Sequence, residues 1–158
     1  MKMPRFSTLL MLSAVALSQL PANPALAVLG EKSDSIAKDG TPVSSVRRVL
    51  AANGTSSYQV QEVQTAATRI REYVTPSGVV FAVAWNGINT PDLSSLLGSY
   101  HQDYQTAKKQ TPRIRGRRQQ QVQGTNVVVE TWGHMRNLQG RAYIPAMVPT
   151  GVNVNDLR

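Results

Sequence analysis

The sequence predicts an α+β fold in which one amphipathic helix packs on a face of a small antiparallel sheet, after a cleaved N-terminal signal peptide. Three observations support this prediction: an apolar leader, runs with strand-like alternation after residue 57, and one apolar stripe at helical spacing. The predicted strands are Tyr58–Gln64, Thr68–Val74, Val79–Trp85, Asn126–Met135 and Arg141–Pro145. The predicted helix is Pro91–Ala107.

The first 27 residues have the pattern of a secretory signal peptide. Lys2 and Arg5 supply the positive start, residues 9–17 are mostly apolar, and Ala25-Leu26-Ala27 is a small-x-small cleavage site. The apolar run is much shorter than the ~20 residues that a membrane-spanning helix needs. We therefore expect cleavage before Val28, export, and no transmembrane segment in the mature chain.

Composition limits what the mature chain can be. The chain has 158 residues and no cysteine, which excludes disulfides, thiol catalysis and cysteine-bound metals. We predict an N-terminal segment, 28–57, in which Ser33 could cap a short helix, and an α+β domain, 58–158, with a basic flexible connector at 108–124. A net charge of +8 favours anionic partners, although basic residues can also serve solubility alone.

The third predicted strand and the helix should form the centre of the fold. Along Val79–Trp85 one face is bulky and the other, Val80, Ala82 and Ala84, is small, so we expect the helix on the small face. The segment Thr90-Pro91-Asp92 offers a capping hydroxyl, a proline at the first helical position and an early carboxylate. The apolar stripe comprises Leu93, Leu96, Leu97, Tyr100, Tyr104 and Ala107.

Several segments carry a resemblance to a known family. They are Arg71-Glu72-Tyr73-Val74, Gly78–Trp85, Pro91-Asp92-Leu93 with Leu96–Tyr100, and Gly133–Arg136 followed by Gly140–Pro145 and Val148–Val152. In order and spacing the chain resembles the exported bacterial domain-of-unknown-function family 2844. The resemblance implies a Gram-negative envelope protein, in the periplasm or outside the cell, and it implies no activity.

The C-terminal hairpin offers the first candidate binding surface. A loop at 137–140 would place His134 opposite Tyr143 and Trp132 opposite Pro145. One face would then carry aromatic rings beside two guanidinium groups, an arrangement that suits sugars, carboxylates or phosphates. The predicted ligand-binding residues are Trp132, His134, Arg136, Arg141 and Tyr143. The alternative is an ordinary outer face of the sheet.

The connector offers a second candidate. Its arginines could contact a polyanion through salt-sensitive electrostatic attraction, and the alternative is a solvated linker. These arginines are Arg113, Arg115, Arg117 and Arg118. Few aromatic residues are interleaved with them, and the protein is predicted to be exported, so nucleic acid is not an expected partner.

No catalytic residues, metal ligands or cofactor site can be assigned from the sequence. Only two histidines are present, and no serine lies in a nucleophile motif. We therefore predict a non-enzymatic envelope module that binds another protein or an anionic glycan. The alternative is a hydrolase or transferase acting on envelope polymers through His134 and an unidentified carboxylate.

Overall fold

The computed structural model describes residues 28–33, 41–42, 47–50, 54, 57–112, 114 and 116–158. The predicted signal peptide and the predicted short helix after Ser33 lie outside these residues. Eight strands are described: β1 Thr41–Pro42, β2 Arg47–Leu50, β3 Ser57–Gln64, β4 Thr68–Val74, β5 Val80–Gly87, β6 Gln120–Gln123, β7 Val128–His134 and β8 Asn137–Tyr143. The helices are α1 Leu93–Leu97 and α2 His101–Gln110, joined by a 3₁₀ turn at Gly98–Tyr100.

The described strands form one antiparallel sheet. The order is β1-β3-β4-β5-β8-β7-β6, and β2 also pairs with β3. This arrangement confirms the α+β prediction, and four of the five predicted strands lie within a few residues of their observed positions. The helical segment begins after β5 and covers one face of the sheet.

The predicted register of the C-terminal hairpin is wrong. The turn is at Met135–Arg136, so His134 pairs with Asn137, and Tyr143 pairs with Val128. A two-residue turn lets the strands pair immediately, and Arg136 takes the positive φ of 67° that such turns require. The predicted and observed strand pairings differ by an even number of residues, so the face on which each side chain lies is unchanged.

The helix begins and ends later than predicted. Asp92, not Thr90, is the N-cap, and its carboxylate accepts the backbone N–H of Ser94 at 3.0 Å. Hydrogen bonds from the Ser95 and Ser94 hydroxyls lower the pKa of Asp92 to about 2. The helix also continues to Gln110.

The predicted connector is more regular than expected. Its first residues, 108–110, belong to α2, and Gln120–Gln123 form β6 at the sheet edge. Val122 is the one apolar residue of this strand, and it is buried in the core under the helix. A four-residue edge strand with a single apolar residue shows no alternation of apolar and polar residues, so the sequence does not predict it.

The helix packs on the bulky face of β5, not on the small one. Its core cluster contains Val83 and Trp85, whereas Ala82 and Ala84 face the opposite side. A bulge between β4 and β5 makes Val74 pair with Val80 and Tyr73 with Ala82, so Val80 lies on the helix side. The prediction assumed that the small side chains make room for the helix, whereas the C-terminal segment packs on them.

The small face of β5 is covered by the C-terminal segment, residues 145–158. Its Leu157 is fully buried, in a cluster with Tyr73, Phe81 and Ala84. Short alanine side chains leave room for this segment and for tyrosine rings. The segment is polar and rich in turns in sequence, yet it completes a second core.

We predict that Leu157→Ala lowers the free energy of unfolding by about 2–4 kcal/mol, because it leaves a cavity under the C-terminal segment. Urea denaturation would measure the loss. Leu50→Ala is the matched control, since Leu50 is 68% exposed and should change stability by less than about 0.5 kcal/mol. Equal effects of the two substitutions would show that residues 145–158 are not part of the core.

Candidate anion-binding cleft

A cleft opens where α2 meets the corner of the sheet. Its lining comes from α2, from the described residues that follow the helix (Thr111, Pro112, Ile114 and Arg117–Gln119), and from the neighbouring ends of β6, β7 and β8. Its volume is about 590 Å³. Ligand sites in proteins commonly have volumes of ~300–1,000 Å³.

The charge of the cleft is positive. Lys108, Arg117 and Arg118 line it, and all three are exposed. None of them forms an ion pair with a described carboxylate, and no described lining residue is acidic. Cations that are not neutralised by neighbouring carboxylates raise the local concentration of anions in such a concave site.

Two aromatic side chains lie among these cations. Tyr104 of α2 is buried, and the Lys108 ammonium lies 5.4 Å from the centre of its ring. Trp132 of β7 is half-buried, and its indole N–H donates to the Gln139 side chain at 3.1 Å. The Arg141 guanidinium lies 5.4 Å from the centre of the Trp132 ring. The Trp132 ring is therefore fixed in orientation on the face of the sheet that carries Arg141, opposite α2, at the edge of the cleft.

Asp103 fixes α2 against the turn between β6 and β7. Its carboxylate accepts the backbone N–H groups of Thr125 and Asn126 at 3.0 and 2.7 Å. These two hydrogen bonds lower the pKa of Asp103, with Asn126 the larger contributor. Because Tyr104 and Lys108 belong to the same helix, Asp103 also sets the width of the cleft.

The structure separates the five predicted hairpin residues. Trp132 lines the cleft, but His134 and Arg136 are exposed at the hairpin end and are not among the lining residues. Tyr143 is buried in the core under the C-terminal segment, and burial raises the pKa of its hydroxyl. Of the predicted connector residues, Arg117 and Arg118 line the cleft, and Arg113 and Arg115 lie outside the described residues.

Arg141 is engaged inside the protein. Its Nε donates to the Glu130 carboxylate at 2.8 Å, and both residues are 7% exposed. Its two terminal nitrogens donate to the Val154 carbonyl and the Asn155 side chain, at 2.6 and 2.8 Å. The guanidinium therefore has partners on three sides, and its observed role is to hold the C-terminal segment on the sheet.

The Arg141–Glu130 pair belongs to a row of charged residues across the sheet. Strand pairing aligns Glu62, Arg71, Ala84, Arg141 and Glu130, which we call the central row. At its other end Arg71 donates to Glu62 at 2.8 Å and also to the carbonyl of Arg158. The C-terminal segment thus crosses Ala84 between two arginine–glutamate pairs.

Sequence reasoning placed Tyr104 correctly in the core stripe, but it missed that Tyr104, Lys108 and several glutamines line a cleft. Tyr104 and Lys108 are four residues apart, so they are neighbours on one helix face, and this spacing is visible in the sequence. Lys108 was assigned to the connector, because the helix was expected to end before it. That Trp132 and Arg117 line one cleft depends on β6, which has no clear sequence signal.

One protein family matches nearly all of the described chain. The sequence profile of the family described as Protein of unknown function (DUF2844) matches residues 25–157. The chain belongs to this family. The match spans the whole described structure apart from the final residue, so the sheet, the helices and the C-terminal segment all lie within the family's region.

No match was found to a curated protein or to a solved structure. Within the described residues of this family member, no helix is long and apolar enough to cross a membrane. The described part of the chain also contains no group of three or more His, Cys, Asp or Glu side chains arranged to hold a metal ion.

We predict that Arg141→Ala lowers the free energy of unfolding by about 3–5 kcal/mol, because Glu130 would remain buried without its partner. Urea denaturation would measure this loss. Arg136→Ala is the control, since Arg136 is exposed in the turn, and its effect should stay below about 0.5 kcal/mol. If Arg141→Ala left the free energy of unfolding unchanged, the internal role of Arg141 would be contradicted. The residue would then again be a candidate for ligand binding.

Proposed function

We propose that the protein is a non-enzymatic binding module of the Gram-negative envelope that holds an anionic glycan in the cleft. The observation that carries this proposal is one cleft that is lined both by Trp132 and by three cations, Lys108, Arg117 and Arg118, none of which forms an ion pair with a described carboxylate. Carboxylates or phosphates of the ligand would contact the cations, and a sugar ring would stack on the indole. Glutamine side chains of the cleft supply donors and acceptors for sugar hydroxyls.

The N-terminal leader, the predicted signal peptide, supports a location in the envelope. A chain with this leader is exported, and acidic polysaccharides are among the polymers that an exported protein meets. Without Lys2 and Arg5 of the leader, fifteen basic residues remain against nine acidic ones, and this excess favours an acidic partner over a basic one.

Binding is favoured over catalysis by the surroundings of His134. General acid–base catalysis needs a positioned proton donor or acceptor within hydrogen-bond reach. His134 is exposed, and its Nδ1 lies 3.1 Å from the Met135 carbonyl. No described carboxylate forms a hydrogen bond or an ion pair with its ring. The hydrolase or transferase alternative therefore has no observation in its favour.

The energetics require several weak contacts acting together. An exposed cation contributes about 0.2–1 kcal/mol to a single ion pair, so three cations with one stacking ring suit a polymer bound at modest affinity. Such binding falls with increasing salt, because exposed charges are screened.

We predict that Arg117→Ala/Arg118→Ala weakens binding to polygalacturonate about tenfold at low salt and leaves thermal stability unchanged, because both side chains are exposed in the cleft. Isothermal titration calorimetry would measure the affinity. The matched control is Arg47→Ala/Arg48→Ala, which removes the same charge from β2 at the opposite edge of the sheet, where both residues are exposed.

Neutral dextran and polyglutamate complete the experiment. The proposal requires binding to polygalacturonate, little binding to dextran, and a larger loss in the cleft variant than in the control variant. Equal losses in the two variants would mean attraction to net charge only and would contradict a site. Binding to polyglutamate with none to polygalacturonate would point to an acidic protein partner and would also contradict the proposal.

A further inference from the structure

A second row of polar side chains crosses the same face of the sheet, two residues along each strand from the central row. Strand pairing aligns Gln64, Arg69, Asn86, Gln139 and Trp132, one from each of five neighbouring strands. We call this set the polar ladder. Adjacent strands are about 4.8 Å apart, so the polar ladder spans about 19 Å from its first member to its last.

The side chains of the polar ladder are held in a common plane by hydrogen bonds along it. Arg69 donates to Gln64 at 3.2 Å, and Trp132 donates to Gln139 at 3.1 Å. Asn137, beside the ladder, accepts from both Asn86 and Gln139, at 3.2 and 2.9 Å. These contacts orient the amides before any ligand arrives, and they leave further donors and acceptors on each amide for a ligand.

The polar ladder is open to solvent. Asn86 is exposed, the Arg69 side chain is 47% exposed, and the other members are half-buried. The C-terminal segment covers the neighbouring rows of the same face, where Tyr73, Ala84 and Leu157 form the core. The segment covers this face only as far as the central row, because Arg71 and Arg141 hold the segment there.

The polar ladder and the cleft are continuous. Trp132 and Gln139 line the cleft and are also the last two members of the polar ladder. A ligand whose charged groups contact Arg117 and Arg118 could therefore extend past the Trp132 ring onto the amides. Lone anions would use only the cleft, and a longer chain would use both parts.

We infer that the ligand is a linear acidic polysaccharide that lies across the strands along the polar ladder, an inference that rests on the proposed function of the cleft. Sugar hydroxyls both donate and accept hydrogen bonds, as amides do, so a row of amides ending at an indole ring matches a sugar chain. An extended peptide would instead pair with the backbone of an edge strand, and the polar ladder offers side chains only.

Oligogalacturonates of one to about eight units provide the test. For the unaltered protein the affinity should rise with length until the chain spans the polar ladder. Gln64→Ala/Asn86→Ala, which changes two members that do not line the cleft, should bind the shortest oligomers normally and the longest about tenfold more weakly. Gln59→Ala is the control, because Gln59 lies on the same strand as Gln64 and on the opposite face.

The outcomes separate this inference from the proposed function. If the affinity of Gln64→Ala/Asn86→Ala rose with oligomer length as it does in the unaltered protein, the polar ladder would be overturned. This conclusion would hold even if Arg117→Ala/Arg118→Ala abolished the binding of short oligomers and so supported the cleft. An equal loss with Gln59→Ala would also overturn it, since that residue does not belong to the ladder. If the unaltered protein bound no oligomer of any length, both the proposed function and the polar ladder would be wrong.

Discussion

The rest of the structure depends on the buried ion pair between Arg141 and Glu130. Burying two charges is costly unless their hydrogen bonds are satisfied, and here the Arg141 guanidinium bonds to Glu130, to the Val154 carbonyl and to Asn155. These bonds join β7 and β8 to residues 145–158. They also determine where the C-terminal segment lies, and hence which part of the sheet it covers.

The exposure of the polar ladder follows from that placement. The C-terminal segment fills the apolar part of one face, the helices cover the other face, and the polar ladder beyond Arg71 and Arg141 is left exposed. At the corner of the sheet Asp103 holds α2 against the turn between β6 and β7, and Lys108 of the same helix lines the cleft. One part of the face under the C-terminal segment therefore stabilises the fold, and the other part presents polar side chains to solvent.

Much of the fold could be predicted from local patterns. The strands at 58–64 and 68–74 and the stripe beginning at Leu93 have strong periodicity, and they are found where the sequence places them. The errors arose where tertiary geometry overrides the pattern. The C-terminal segment covers the small face of β5 and leaves the bulky face to the helix, and the early turn at Met135–Arg136 shifted the hairpin pairing. Arg141 was assigned to a ligand because one sequence does not show that its partner is Glu130.

The most direct test of this account is the exchange rate of the Arg141 Nε–H with water, measured by ¹⁵N NMR at neutral pH. The account predicts that this hydrogen is strongly protected, because it is buried and bonded to Glu130, and that it exchanges far more slowly than the Nε–H of the exposed Arg117. Similar exchange rates for the two arginines would show that the pair is open to solvent. The attachment of the C-terminal segment, and with it the boundary of the polar ladder, would then be contradicted.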